Sequence, residues 1–158
     1  MADALASGVS AFTGVRVQVP PRAQSVAILL AMNFDAADPA IKKLIADYFD
    51  VMHEQDMQLF DKVFHPSCTL YSTQGGTLSL RPYAIYREAV ANRESPAAKG
   101  EVRDDRVLDF DQISDTLAWV KPQLQMFGGV MQDYLNIVYL DGQWWVMAKM
   151  WERVGDIK

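Results

Sequence analysis

The chain has 158 residues, half of them apolar and 22% charged, which is length enough to bury the core of one domain and an ordinary globular composition. Its formal charge is −5 and no Lys/Arg cluster offers a phosphate-binding surface, which argues against nucleic acid as a partner. A single cysteine, Cys68, excludes an internal disulfide framework, and with only two histidines no familiar zinc site forms without carboxylates, so neither metal nor cofactor is expected.

Residues 1–37 are rich in Ala, Ser, Gly and Val and show no sustained period. The apolar stretch Ser25–Met32 follows Arg22, but the acidic opening and Pro20-Pro21 do not match a secretory signal. No apolar run approaches the roughly 20 residues that span a bilayer. The expectation is therefore a cytoplasmic protein with no membrane partner. Residues 1–37 read as a flexible or loosely packed extension, with Met32 as an alternative natural start, and residues 38–158 as the domain.

Asp38-Pro39 is an N-cap followed by proline in the first turn, a helix start. Ile41, Leu44, Ile45, Tyr48, Phe49 and Met52 follow at helical spacing, while Lys42, Lys43, Asp47, Asp50 and Glu54 fall on the other side. Asp56 caps a second, shorter helix that buries Met57, Phe60 and Val63 or Phe64, stopped by His65-Pro66. Cys68–Thr73 is rich in β-formers, Gly75-Gly76 marks a turn, Thr77–Leu80 offers a brief pairing segment, and Pro82 opens a third helix from Tyr83 to about Asn92.

Beyond Ser95-Pro96 the period changes to two. Val102–Phe110, Thr116–Met126, Val130–Leu140 and Gln143–Arg153 read as successive strands joined by turns at Asp111–Asp115, Gly128-Gly129 and Asp141-Gly142. Helices gathered ahead of an antiparallel meander give an α+β domain with the helices on one face, and a closed-up sheet of this kind leaves an opening at one end for a ligand.

The segment Tyr48-Phe-Asp-Val-Met-His-Glu-Gln-Asp-Met-Gln-Leu-Phe-Asp-Lys-Val-Phe-His-Pro-Ser-Cys68 resembles the opening of the nuclear transport factor 2-like superfamily. With Asp133-Tyr-Leu-Asn-Ile-Val-Tyr-Leu-Asp-Gly-Gln-Trp-Trp-Val-Met-Ala-Lys149 it is similar to the branch labelled "putative lumazine-binding", over about Ala40–Arg153. The resemblance implies three N-terminal helices packed in the concave face of a cone-shaped, curved antiparallel sheet, a conical pocket and frequent dimers through the outer sheet face, with chemistry that ranges from ketosteroid isomerases, dehydratases and polyketide cyclases to non-catalytic binders, so the fold does not name the function.

By its spacing to Asp56, Tyr48 resembles the tyrosine that donates to the enolate oxygen in ketosteroid isomerases. The alternative, a buried phenol bonded to backbone, is the preferred one. The aspartate base of those enzymes falls at Ser72, between Tyr71 and Thr73, and none of these is a base near neutral pH. Asp133 alternates with Leu135 and Ile137 and so could face the cone as acid or base; capping a turn or pairing with Lys149 are its structural alternatives. His53 ends the first helix and His65 precedes Pro66; structural roles are preferred for both, with His65 kept as a third catalytic candidate. Cys68, with no basic neighbour to lower its pKa, reads as a small core residue rather than a nucleophile.

Met52, Leu70, Ser72 and Trp144 are the expected pocket lining. Strict alternation in the last strand places Trp144, Val146, Ala148 and Met150 on one face and Trp145, Met147, Lys149 and Trp151 on the other. The latter set gives an outward apolar patch, Trp145, Met147 and Trp151, through which a homodimer is expected. The functional expectation is a pocket for a small apolar molecule. It serves either a cofactor-independent isomerase, cyclase or dehydratase of ketone-like or polyketide-like substrates, or a binding module for an aromatic or heterocyclic ligand.

Overall fold

The computed structural model describes residues 34–157. Of the extension expected over residues 1–37, positions 1–33 lie outside the described residues. Phe34–Ala36 forms a short 3-10 turn, Phe34 meets Phe110 edge-on at 5.6 Å between ring centroids, and Ala37 is buried.

Helix α1 (Pro39–Glu54) starts where the side chain of Asp38 accepts from the Ala40 N–H at 2.7 Å, and buries Ile41, Leu44, Ile45, Tyr48, Phe49, Val51 and Met52. It ends at Gln55 in the left-handed conformation, φ 59°. Asp56 caps α2 (Met57–Val63) by accepting from the Gln58 and Leu59 N–H groups. The chain then enters β1 (Phe64–Ser72) directly. The helix ends at Val63, just ahead of His65-Pro66 as expected, and the pair itself lies inside the strand, in the irregular stretch between Phe64 and Thr69, where a proline without an N–H is tolerated. Strand β2 (Ser79–Pro82) and α3 (Tyr83–Ala91) follow.

The meander comprises β3 (Asp105–Ser114), β4 (Leu117–Met126), β5 (Gly129–Leu140) and β6 (Gln143–Asp156). The turn expected over Asp111–Asp115 contracts to Asp115-Thr116, because β3 begins later and runs further than its alternation suggests. The β4–β5 turn is centred on Phe127-Gly128, one residue earlier than Gly128-Gly129, with both residues at positive φ (52° and 72°). Asp141-Gly142, also at positive φ, closes the last hairpin where expected.

The six strands form one curved sheet in the order β2-β1-β6-β5-β4-β3. Every neighbouring pair is antiparallel except β1 with β6, the second and third strands of that order, which run parallel. The helices fill the concave side, α1 against β6 and β4, α2 against β1 and β6, α3 against β1 and β2. An aromatic wedge of Phe60, Phe64 and Tyr86, centroids 4.6 to 5.4 Å apart, joins α2 and α3 to β1. Among the described residues no helix is long and apolar enough to cross a membrane.

A β-bulge decides which side chains of β6 enter the cone. Ile137 pairs with Val146 and the adjacent Asn136 with Ala148, so Met147 is the extra residue of β6. One inserted residue reverses the facing of all that follow. Trp144 and Val146 are buried ahead of the bulge; beyond it Lys149 is buried while Met150 is 48% exposed. Strict alternation thus assigns Lys149, Met150 and Trp151 to the wrong faces.

Candidate functional site

Two cross-strand partners and one helix build the polar centre of the cone. Asp133 lies directly opposite Trp151, and Leu135 directly opposite Lys149, so all four project from the concave face of the β5–β6 pair. Asp133 and Lys149 are diagonal neighbours, and Lys149 Nζ stands 3.1 Å from Asp133 Oδ2. Tyr48 enters from the buried stripe of α1, donates its O–H to Asp133 Oδ2 and accepts from Lys149 Nζ at 2.6 Å. The remaining donor capacity of Lys149 faces Met52 Sδ at 3.7 Å, a weak acceptor. Exposure is 0% for Tyr48, 1% for Asp133 and 5% for Lys149, so the cluster has left water almost completely.

One polar atom of the cluster is unmatched. Asp133 Oδ1 is buried and has no hydrogen-bond partner among the described residues. A carboxylate oxygen in that position costs free energy unless something donates to it. The Asp133 residue lies in the wall of a cavity of about 100 Å³ that also includes Met52, Leu70, Tyr86 and Lys149. Met126, Phe127 and Met131 bring the flexible apolar part of the lining, and Arg81 and Arg93 bring two guanidinium groups. Phe127 is set by the β4–β5 turn; its N–H donates to Glu101 at 2.6 Å and its ring lies under Arg93 at 4.7 Å.

Burial, and then the nearby Asp133 charge, holds the Tyr48 phenol well above its ordinary range. Burial also raises Tyr86 above its ordinary value. Cys68 is pushed up to about 12 by burial, against a lesser downward pull from Lys149. Tyr48 is therefore a protonated donor at neutral pH, and its proton is directed to Asp133. The enolate-donor role suggested by resemblance would need that bond to break.

Tyr48 stands behind the cavity wall, bonded to Asp133 and Lys149, while Asp133, Met52 and Leu70 line the cavity. His65 does not: its Nδ1 accepts from the Ser67 N–H at 3.0 Å, and its ring meets Trp145 edge-on at 5.4 Å, away from the cavity wall. Ser72 is buried but lines a different hollow, shared with Tyr134 and Met150. Trp144 is core, packed against Tyr139 at 5.7 Å, and does not reach the cavity. Trp151, expected on the outer face, lines the cavity instead because of the bulge; Trp145 and Met147 are partly exposed. Sequence reasoning had Lys149 only as a structural partner for Asp133 and missed Arg81 and Arg93. No motif or period marks the arginines; only the fold brings β2 and the end of α3 to the same cavity.

Residues 36–152 match the family described as "Putative lumazine-binding". No curated protein matches the chain. Among solved structures it is similar to an NTF2-like protein of unknown function from Silicibacter pomeroyi (TM-score 0.64, 15% identity, 77% of this chain and 99% of that one). An NTF2-like protein of unknown function from Shewanella baltica is comparably similar (TM-score 0.65, 16% identity, 77% and 96%). A ketosteroid isomerase-like protein from Erwinia carotovora follows at TM-score 0.58 and 12% identity, over 78% of this chain and 99% of that one. At these identities the likeness is one of fold.

Removing one partner of a buried ion pair leaves the other charged in a dry site, at a cost of about 3–5 kcal/mol. Lys149→Met or Asp133→Leu alone should lose that much in urea denaturation, and the double variant should lose less than the sum. Strict additivity would show that the two side chains do not sense each other. A second outcome concerns alkali. Tyr48, Tyr86 and Cys68 are neutral in the fold and ionise more readily when unfolded, so their stabilisation is complete below the unfolded values and lost as pH rises through the folded ones. The urea midpoint should begin to fall near pH 9, by up to about 1.4 kcal/mol per pH unit per group, and Cys68→Ala should remove the part of the loss between pH 9 and 10.

Proposed function

Because this chain belongs to the "Putative lumazine-binding" family of the nuclear transport factor 2-like superfamily, we propose that it is a small-molecule pocket protein whose ligand donates a hydrogen bond to Asp133 Oδ1. The unmatched buried oxygen carries this reading. A carboxylate whose other oxygen is engaged by both Tyr48 and Lys149 is held rigidly, which is how binding sites fix a polar contact before the ligand arrives.

Catalysis of the isomerase, cyclase or dehydratase kind would run through the same atom. Asp133 Oδ1 would take a proton from a carbon beside a ketone, and Lys149, whose third donor position faces only a thioether, would turn to the developing oxyanion. A non-catalytic reading is supported by the saturation of Oδ2 and of the Tyr48 hydroxyl: a heterocyclic N–H on Oδ1 would complete the cluster without reaction.

Native mass spectrometry of gently purified protein should retain a ligand, and proton NMR in D2O should report exchange at the α-carbon of a small cyclic ketone. General-base catalysis predicts exchange that falls about 100-fold or more in Asp133→Asn, with folding checked by circular dichroism. Retention without exchange would favour the binding module. A protein that retains nothing and binds no ring compound would sink the pocket reading.

We further infer that the outer sheet face carries a homodimer contact. On that face Tyr134, 52% exposed, stands opposite Met150, 48% exposed, and Val138 stands opposite Trp145. Such a patch supports association. Met150→Asp or Tyr134→Asp should give monomers in multi-angle light scattering where wild type is dimeric at micromolar concentration. A wild-type monomer there would end the idea.

A further inference from the structure

The charge of the cavity runs against the charge of the protein. The chain carries −5 overall, yet the cavity wall holds Arg81, Arg93 and Lys149 against Asp133 alone, an excess of two positive charges. Lys149 is spoken for by Asp133 at 3.1 Å, so the excess belongs to the two arginines. Tyr48 and Tyr86, both held above their ordinary values by burial, add no negative charge at neutral pH.

Three other described arginines are paired with carboxylates, and Arg106 meets the Gln123 amide oxygen once that amide is turned. Arg87 grips Asp61 with two nitrogens at 2.6 and 2.8 Å, Arg103 holds Asp50 and Asp105, and Arg153 reaches Asp156 at 2.8 Å. Arg81 makes no hydrogen bond or ion pair with any described residue, although it sits on β2 opposite Leu70 and is only partly exposed. Arg93 lies over the Phe127 ring, and Gln55, with its amide turned so that both ends are satisfied, accepts from Arg93 Nε at 3.0 Å. The terminal nitrogens of Arg93 meet no acceptor among the described residues. Arg81 also pushes the Arg93 value down, behind the larger effect of burial, so the two guanidinium groups sense each other. Two like charges kept close, partly buried and without a carboxylate in a chain holding 20 acidic residues are a standing receptor for an anion.

We infer that the cavity takes a small organic acid, its carboxylate bonded by Arg81 and Arg93 and its hydroxyl or N–H hydrogen directed to Asp133 Oδ1. This rests on the pocket reading above and replaces an apolar ligand with an anionic one. The donor on the ligand is required as much as the charge, because Oδ1 is buried without a partner among the described residues, and a bare anion would leave it so. The volume of about 100 Å³, open on one side, limits the acid to a single small ring or a short chain.

The test titrates the full chain by calorimetry with two matched pairs, para-hydroxybenzoate with para-hydroxybenzamide and glycolate with glycolamide, and with inorganic phosphate. Each amide keeps the shape and the donor and removes the charge. At least one acid should bind, its amide about tenfold or more weaker, with affinity falling as salt is raised. Arg81→Gln and Arg93→Gln should each weaken the acid about 10- to 100-fold and the amide much less. Arg81→Gln should also leave the melting temperature of the free protein in place, since the Arg81 side chain bonds nothing there. Acid and amide binding equally, or arginine variants that do not affect the acid, would overturn the anionic ligand while keeping the pocket. Phosphate binding more tightly than either acid would overturn the carboxylate assignment. Failure of all four organic probes to bind would count against both readings.

Discussion

Taking a lysine and an aspartate out of water together costs several kcal/mol per charge, and their attraction offsets that only when the remaining donors and acceptors are also satisfied. Here β5 and β6 alone do not satisfy them. Tyr48 must arrive from α1, donating to Asp133 and accepting from Lys149, before the pair is tolerable. The polar cluster therefore ties the first helix to the two longest strands, and it sets the distance between helix and sheet over the cavity. A cone packed with aliphatic side chains at these three positions would hold together without specifying that gap.

The same cluster depends on one inserted residue. Without the bulge at Met147, the strand that places Trp144 and Val146 in the core would turn Lys149 outward and Met150 inward. Asp133 would then be a lone buried carboxylate and the cavity would lose its ammonium group and Trp151. The irregularity is not confined to one neighbour: β1 is also irregular between Phe64 and Thr69, where it runs beside the same part of β6. Curvature of the sheet and polarity of its concave face thus come from the same local departure from regular pairing.

This explains how far the sequence could be read. The stripe of α1, the Asp38 and Asp56 caps and the Asp141-Gly142 hairpin are set by short-range chemistry, and each lies where the residues put it. Asp133 was legible as an inward residue because β5 keeps its alternation through Leu135 and Ile137. Lys149 was not, because a bulge leaves no mark in the pattern of residue types; Trp-Trp-Val-Met-Ala-Lys-Met-Trp is apolar on both phases, so either register looks acceptable. His65 misled for the opposite reason, a residue type suited to chemistry at a place where the strand aims it at Trp145. Arg81 and Arg93 were invisible as a pair, since what joins them is a cavity bounded by β2, α3 and the β4–β5 turn.

Fold likeness at 12 to 16% identity fixes the scaffold and leaves the chemistry to the lining. In this lining the apolar part is largely methionine and one turn phenylalanine, side chains that repack around a ligand, whereas the polar part is held by bonds that ligand shape would not easily disturb. Selectivity should then reside in the polar groups. An uncharged ring gains burial against Met52, Met126 and Met131 but leaves two guanidinium groups without a counter-charge; an acid without a donor satisfies those and leaves Asp133 Oδ1 alone. Only a molecule bearing both features removes every unmatched charge and acceptor at once. An unpaired buried group weighs more heavily in recognition than the added contact of a methylene, so this constraint, more than the size of the cavity, defines the ligand class.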